Sequence, residues 1–249
     1  MFYLKSGKEL DTMREGGHLL SEIVTRLGDA VRPGIKTAQL DALAHELIGN
    51  VVAIPSAKGY RGFPGAICTS PNEVVVHGIP SGTVLQDGDN VSLDVAMFYR
   101  GYHVDIARTF AVGSVSPQTR QLIGVTEKSL GAAIRKCQPG TRVGDVGAVV
   151  QQVVEAEGFS VVRDNSGHGV GRDFHEEPHV LNYGKPGRGA VLKPGMTLAI
   201  EPMVIEGQRE TRVLDDGWSV VSVDGSMAAH FEHTAAIIPE GHEVPTRFR

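Results

Sequence analysis

The stretch VSLDVAMFYRGYHVDIARTF, residues 91–110, decides how this chain is built. Val91, Leu93, Val95 and Met97 alternate with Ser92, Asp94 and Ala96, the period of a strand with one apolar face, so Asp94 points away from the apolar row. A second strand-like run follows the turn residues Tyr99 to Gly101, and the segment reads as an antiparallel hairpin. With the turn centred near Tyr99 and Arg100, Asp94 and Asp105 fall opposite each other, about 4.5–5.5 Å apart at Cβ. Like charges so placed destabilise a sheet unless a proton or a cation lies between them. Either the pair is solvated on an open face or it holds a cation.

Working outward, the two halves of the chain echo each other at an offset of about 106 residues. Pro33-Gly34-Ile35-Lys36, followed by Leu40, Leu43, Leu47 and Ile48, matches Pro139-Gly140-Thr141-Arg142, followed by Val146, Val149, Val153 and Val154. Leu85, Gly88, Val91, Leu93 and Asp94 match Leu192, Gly195, Leu198, Ile200 and Glu201. This is either chance likeness between two helix-then-strand units or a duplicated half whose copies each present one acid to a shared centre.

The second half supplies further chemistry in SGHGVGRDFHEEPHV (166–180), LAIEPMV (198–204) and HFEHTAAII (230–238). Glu201 and Glu232 each adjoin apolar strand residues, where an ionised carboxylate is costly unless paired or bound to metal. His168 lies between Gly167 and Gly169, which leave room for close backbone approach and a ligand. Four carboxylates and one imidazole suit two Mn, Fe, Co or Zn ions better than a closed structural zinc site. His175 to His179 spell the letters of an H-E-x-x-H zinc motif, but Pro178 argues against the helix that motif requires. Gly167, Gly169 and Gly171 lack the helix and Lys-Ser/Thr of a phosphate loop. His18, His45, His103 and His242 read as solvated or packed residues.

Four helices frame these segments. Ser6 and Glu9 predict a capping box for a helix over 7–27, with Met13, Gly16, Leu20, Ile23, Val24 and Leu27 at helical spacing. A second follows Thr37 and ends near Gly49, a third starts at Ser116 and Pro117, and a fourth runs over 145–158. Strands are expected near 73–77, 90–98, 102–112, 159–163, 197–205, 218–223 and 231–238. At 249 residues with a net charge of -5 and no Lys/Arg block, the chain has neither the footprint of a nucleic-acid binder nor an apolar run long enough for a membrane span. Two cysteines, Cys68 and Cys137, form no framework and fit a reducing compartment, with the cytoplasm the default.

NEVVVHGIP (72–80), the Asp94 and Asp105 pair, SGHGVGRDFHEEPHV, AIEPM and HFEHTAAI together resemble the type I methionine aminopeptidases of the short bacterial kind, over nearly the whole chain. The resemblance implies an α+β pita-bread fold, a pseudo-twofold antiparallel sheet with helices on its outer side. It also implies a single catalytic domain over 1–249, in halves of roughly 1–112 and 113–249. Two divalent metal ions per chain would be held by Asp94, Asp105, His168, Glu201 and Glu232, with Asp105 and Glu232 bridging. His77 and His175 would touch substrate and transition state, and Glu201 is open to a second role as general base.

By the same resemblance, Tyr60, Phe63, Cys68, His77, Phe174 and Trp218 line the slot for a methionine side chain, though any of these aromatics suits a core equally. Ala57 stands where many relatives place a cysteine, and Phe63 replaces a frequent tyrosine. The implied activity is removal of the N-terminal methionine of peptides and nascent chains when the second residue is small, by a monomer, with ribosome contact plausible. With Phe2 bulky, the chain itself should retain Met1. X-Pro peptidases of the same fold usually add an N-terminal domain, whereas the first core helix here starts by about residue 7; a non-catalytic scaffold would tend to lose ligands.

Overall fold

The computed structural model describes residues 2–248; Met1 and Arg249, and with Met1 the expectation that it is retained, lie outside the described residues. The first half runs α1 (Gly7–Ala30), α2 (Thr37–Asn50), β1 (Ile54–Pro55), a 3-10 turn at Tyr60–Gly62, β2 (Cys68–Pro71), β3 (Val74–Val76), β4 (Asn90–Tyr99) and β5 (Tyr102–Ala111). The second begins with α3 (Pro117–Lys136), α4 (Val143–Glu155), β6 (Ser160–Val161), β7 (Gly167–Gly169), β8 (Glu176–Val180), β9 (Thr197–Ile200) and β10 (Met203–Ile205). It closes with β11 (Thr211–Val213), β12 (Val220–Ser222), β13 (Ala228–His230), β14 (Glu232–Ile238) and β15 (Gly241–Glu243).

The four expected helices form, with shifted ends. The amide of Ser6 donates to the Glu9 carboxylate at 2.7 Å, so α1 starts where the capping signal places it. Ser116 caps α3 by accepting from the Thr119 amide at 3.0 Å, with Pro117 in the first turn. α4 starts at Val143 rather than 145, because Asp145 sits inside the first turn and accepts from the Arg142 amide at 2.8 Å. The expected strand over 197–205 breaks into β9 and β10 at Glu201 and Pro202.

One large antiparallel sheet runs in the order β1-β4-β5-β14-β9-β7-β8, with β2 also on β4 and β15 on β14. Each half keeps its own apolar core between helices and sheet. In the first, Leu20, Leu27 and Leu40 pack with Leu93 and Met97; in the second, Leu122, Val146 and Val150 pack with Leu198 and Ile237. Each of these fully buried side chains is worth about 1.5–3 kcal/mol of transfer free energy. Both outer faces are thereby covered, and the opposite face of β4, β5, β14 and β9 is left for chemistry.

The repeat at 106 to 107 residues reappears in the hydrogen bonds. Gly34 N donates to Leu85 O at 2.8 Å and Gly140 N to Leu192 O at 2.9 Å; Leu85 N returns to Ile35 O, and Leu192 N to Thr141 O. Lys36 pairs with Val84 and Arg142 with Val191. Gly34 and Gly140 adopt φ of 88° and 86°, a left-handed conformation that favours glycine. The same turn therefore feeds both β4 and β9.

The hairpin differs from its expected register. Tyr99 faces Tyr102, so the loop is Arg100 and Gly101, with φ of 47° and 96°. A tight hairpin turn of this kind needs positive φ at both central residues, and glycine supplies one of them at no steric cost. Asp94 consequently opposes Ala107, and Asp105 opposes Ala96. The two aspartates are diagonal neighbours on one face, not direct partners.

Candidate functional site

The acids come together through strand register. Asp94 on β4 pairs with Ala107 on β5, which in turn pairs with Glu232 on β14, so one row across the sheet carries an acid on each side of a methyl group. In the next row Asp105 lies opposite Ala96, and His168 on β7 lies opposite Ala199, whose other neighbour is Thr234. Thr234 Oγ1 accepts from the Asp105 amide at 2.9 Å and donates to the Asp105 carbonyl at 2.9 Å. Small residues in both rows leave the volume that a cluster of carboxylates needs. Glu201 enters from the break between β9 and β10, where Asn182 Nδ2 holds its carbonyl at 3.0 Å.

Close approach explains the glycines around His168. A Cβ at Gly167 would lie 2.4 Å from Ala199 O, and one at Gly169 would lie 2.4 Å from Glu177 O. No phosphate loop or zinc helix forms: residues 176–180 are the strand β8. His168 Nδ1 lies 2.8 Å from Gly169 O and so carries the proton it donates there. Its Nε2 is left with a free lone pair 3.5 Å from Glu201 Oε1 and 4.0 Å from Asp105 Oδ2.

This is a costly arrangement without a cation. Asp105, Glu201 and Glu232 are 3%, 9% and 2% exposed. Burial first, and then the neighbouring acids, push all three carboxyls well above the usual carboxylate range. Among the described residues, Asp105 Oδ1 and Glu232 Oε1 are buried without a hydrogen-bond partner, at about 1–3 kcal/mol each. Asp105, His168 and Glu232 offer ligand atoms all within 4.8 Å of one another, as do Glu201, His230 and Glu232. Oxygen-rich donors with one imidazole per group fit divalent cations.

The same centre lies in the wall of a cavity of ≈ 270 Å³. Its lining includes every site residue expected from sequence: Asp94, Asp105, His168, Glu201 and Glu232, then His77 and His175, then Tyr60, Phe63, Cys68, Phe174 and Trp218. Ala57, Phe63 and Cys68 cluster with Ile79 and Trp218 as an apolar slot. The Phe63 and Trp218 rings meet edge to face at 5.2 Å. Across the opening, Tyr60 stacks on His175 at 5.1 Å, and His175 sits 4.2 Å from the His168 ring. Burial lowers His77 to about 4 and His175 to about 3, the latter with help from His168, so both imidazoles are neutral at pH 7. His77 also adopts φ 59°, a strained backbone at the end of β3 that aims its ring at Trp218, 6.3 Å away.

Sequence reasoning passes over residues of this region, among them Ile79, which lies within NEVVVHGIP but carries no polar group of its own, and His230, which reads only as part of a strand motif. His230 is 1% exposed, with Nε2 3.6 Å from Glu201 Oε2. The signal that could have found it is its place two residues before Glu232. His103, expected to be solvated or packed, is packed: it bonds Ser56 Oγ at 2.8 Å and stacks on Phe174. Both cysteines are free and buried, and burial followed by the nearby Asp94 and Asp105 raises the Cys68 thiol well above its ordinary value.

A sequence profile of metallopeptidase family M24 matches residues 11–239. The methionine aminopeptidase of Clostridium perfringens is 49% identical over 246 residues, 99% of both chains. The crystal structure of methionine aminopeptidase from Rickettsia prowazekii superposes with a TM-score of 0.98 at 40% identity, covering 99% of this chain and 100% of that one. A prolidase from Pyrococcus horikoshii OT3 matches with a TM-score of 0.78 at 21% identity, with 64% of that chain covered; this likeness concerns the fold alone. No helix among the described residues is long and apolar enough to cross a membrane.

Proposed function

The chain belongs to metallopeptidase family M24 and, within it, to the methionine aminopeptidases, and from that premise we propose that it removes N-terminal methionine from peptides and nascent proteins whose second residue is small. The observation that carries this reading is the junction of two unlike surfaces in one cavity: a buried acid cluster with orphaned oxygens, and an apolar slot of Ala57, Phe63, Cys68 and Trp218 beside it. A thioether packs favourably against aromatic rings, which suits methionine.

Asp94, Asp105, His168, Glu201 and Glu232 would hold two divalent ions, drawn from Co, Mn, Fe or Zn. Such ions supply Lewis-acid polarisation of the scissile carbonyl and lower the pKa of water. Glu201 accepts the proton of the attacking water and returns it to the departing amine. His175, neutral at pH 7, donates a hydrogen bond to the carbonyl oxygen as charge develops there. His77 binds the substrate backbone on the leaving side. The slot orients the side chain and excludes water around it. In this reading 1–249 is one catalytic domain acting as a monomer in the cytoplasm, on chains emerging from the ribosome.

The test is hydrolysis of Met-Ala-Ser against Ala-Pro peptides, after chelation and stepwise return of each metal. The expected outcome is loss of activity on chelation, recovery with divalent ions, and preference for Met-Ala-Ser. Faster cutting of the Ala-Pro peptide would move the chain to the X-Pro peptidases, and full activity without metal would remove the centre from the mechanism.

A further inference from the structure

β14 changes neighbours along one edge at the point where it passes Asp105. Glu232 and His233 pair with Ala107 and Ile106 of β5, whereas Ala236, Ile237 and Ile238 pair with Glu243, His242 and Gly241 of β15. The other edge of β14 is occupied by β9 without a break from His233 to Ala236. Carried one residue further, the register with β5 would set Thr234 opposite Asp105, and a regular ladder would join their backbones directly. Instead the Thr234 hydroxyl takes both backbone groups of Asp105, accepting from the amide at 2.9 Å and donating to the carbonyl at 2.9 Å. The sheet thus forks at Asp105, with a side chain set between the strands in place of a main-chain bond.

Such a fork deprives the Thr234 amide of its ladder partner, and the C-terminal tail supplies another. Thr246 Oγ1 accepts from that amide at 3.0 Å and lies 3.1 Å from His233 Nδ1. A hydroxyl has one proton and two lone pairs, so it can accept from the amide and donate to the imidazole at once. Thr246 is fully buried, and the tail that carries it is wedged in place. Gly17 of α1 admits the tail, since a Cβ there would lie 2.5 Å from the Pro245 carbonyl oxygen. Next to Thr246, the Phe248 ring rests 5.5 Å from that of His233, with the Arg108 guanidinium 4.8 Å from the Phe248 ring centre. None of these residues lines the catalytic cavity.

Without the Thr246 hydroxyl, the Thr234 amide would be buried and unpaired, which is costly, and its nearest remedy is the direct bond to the Asp105 carbonyl. That bond would evict the Thr234 hydroxyl, close the fork and draw together the strands that carry Asp105 and Glu232. We infer that Thr246 is a positioning residue of the metal centre: touching neither substrate nor cation, its hydroxyl keeps the fork open and so fixes the separation of the Asp105 and Glu232 carboxylates. This rests on the metal-dependent reading of the cavity and leaves the five-residue ligand set as it stands.

The inference can be tested on the full chain, stripped by chelation and titrated with Co²⁺ alone, below the thermal transition of each variant. Thr246→Val keeps the shape and removes the hydroxyl; Thr246→Ser keeps the hydroxyl. The valine variant should bind Co²⁺ about 10–100-fold more weakly than wild type, the cost of losing a group that orients a ligand. Its visible Co²⁺ absorption band should shift, because the ligand geometry has changed. The serine variant should restore both affinity and spectrum. Wild-type affinity and spectrum in a folded Thr246→Val would overturn the inference. So would a Thr246→Ser as impaired as the valine variant, since packing and not the hydroxyl would then be at work. Amide hydrogen exchange on the metal-free wild-type protein needs no variant: the Thr234 amide should be protected, and exchange at the rate of an open loop would equally overturn the inference. If Thr246→Val does not fold, the serine variant and this exchange decide. Failure of the wild-type protein to bind Co²⁺ at all would instead overturn the metal reading of the cavity.

Discussion

In the first half, Gly34 and Leu85 close a turn that feeds the strand of Asp94; in the second, Gly140 and Leu192 close the same turn onto the strand that leads to Glu201. Beyond those turns the halves part. The first delivers both of its acids from one hairpin, whose Arg100-Gly101 loop fixes Asp94 and Asp105 as diagonal neighbours. The second draws His168, Glu201 and Glu232 from separate elements, with glycines on either side of His168 so that β7 can approach β8 and β9 closely. The scaffold bonds recur because both helix pairs must be seated on one sheet. The side chains at the centre do not recur, because a cation needs donors converging from several directions, which a copied hairpin cannot provide.

The largest effect is expected where the first half commits its charge most deeply. Asp105→Asn should cut kcat/KM on Met-Ala-Ser by far more than the ~10–100-fold cost of losing an outer-shell partner. The metal-free protein should respond in the opposite sense. Burial and the charges of Asp94 and Glu201 already oppose ionisation of Asp105, so removing its charge should raise the thermal midpoint in chelator. A lower midpoint in chelator would show that Asp105 stabilises the empty scaffold and is not a strained donor.

A contact without counterpart in the first half gives the next effect. Lys5 Nζ reaches the Glu176 carboxylate with both side chains almost fully buried, and the same carboxylate accepts from the amides of Arg172 at 2.7 Å and Asp173 at 3.2 Å. This network pins the loop that carries Phe174 and His175. Lys5→Met leaves a buried acid without its cation and should cost about 3–5 kcal/mol, at the lower end because the amides remain. Urea unfolding measures it; adding Glu176→Leu should restore much of the stability but not the placement of His175, so kcat stays reduced. A single variant as stable as wild type would detach the loop from this anchor.

How far the sequence carried this picture follows the same division between scaffold and site. Periodicity found the helices because Leu20, Leu27 and Val150 answer to one core each, and the acids stood out because Glu201 and Glu232 interrupt apolar strands where charge is expensive. Register was less legible. A period-two pattern cannot say which of Tyr99, Arg100 and Gly101 form the loop, and the answer depended on positive φ at Arg100, which no side chain announces. Short strands such as β2, β7 and β13 carry three or four residues each, too few for alternation to be seen. His230 escaped for that reason, since Thr109 and Glu201, which it meets in space, lie on elements far away in the chain.

The repeated turn itself sets the third test. Gly34 and Gly140 have positive φ, and a methyl group at either Cα would meet no atom within 4 Å, so alanine at either position pays only for the left-handed backbone. Each substitution should cost about 1–2 kcal/mol, and the two costs should agree. Chemical denaturation of both variants checks this. A marked inequality would mean that the turns share bonds but not energetic weight.

The smallest effect separates the helix starts that open the two halves. Ser116 caps α3 through a neutral hydroxyl, whereas Glu9 near the start of α1 accepts from the Ser6 amide, Tyr102 and Arg172. The Ser6 bond first, then Tyr102, holds the Glu9 carboxyl well below its usual value of 4.5. A carboxylate depressed in the folded state contributes stability that is complete above its unfolded pKa and is lost as pH falls through the folded one. Glu9→Gln should therefore cost about 1 kcal/mol at pH 7, with the difference from wild type shrinking as pH drops below the ordinary carboxylate range. Ser116→Ala should cost a similar amount at every pH, since no charge is involved. Urea midpoints between pH 3 and pH 7 compare the two, and a pH-independent Glu9 variant would mean that its hydrogen bonds do not depend on its charge.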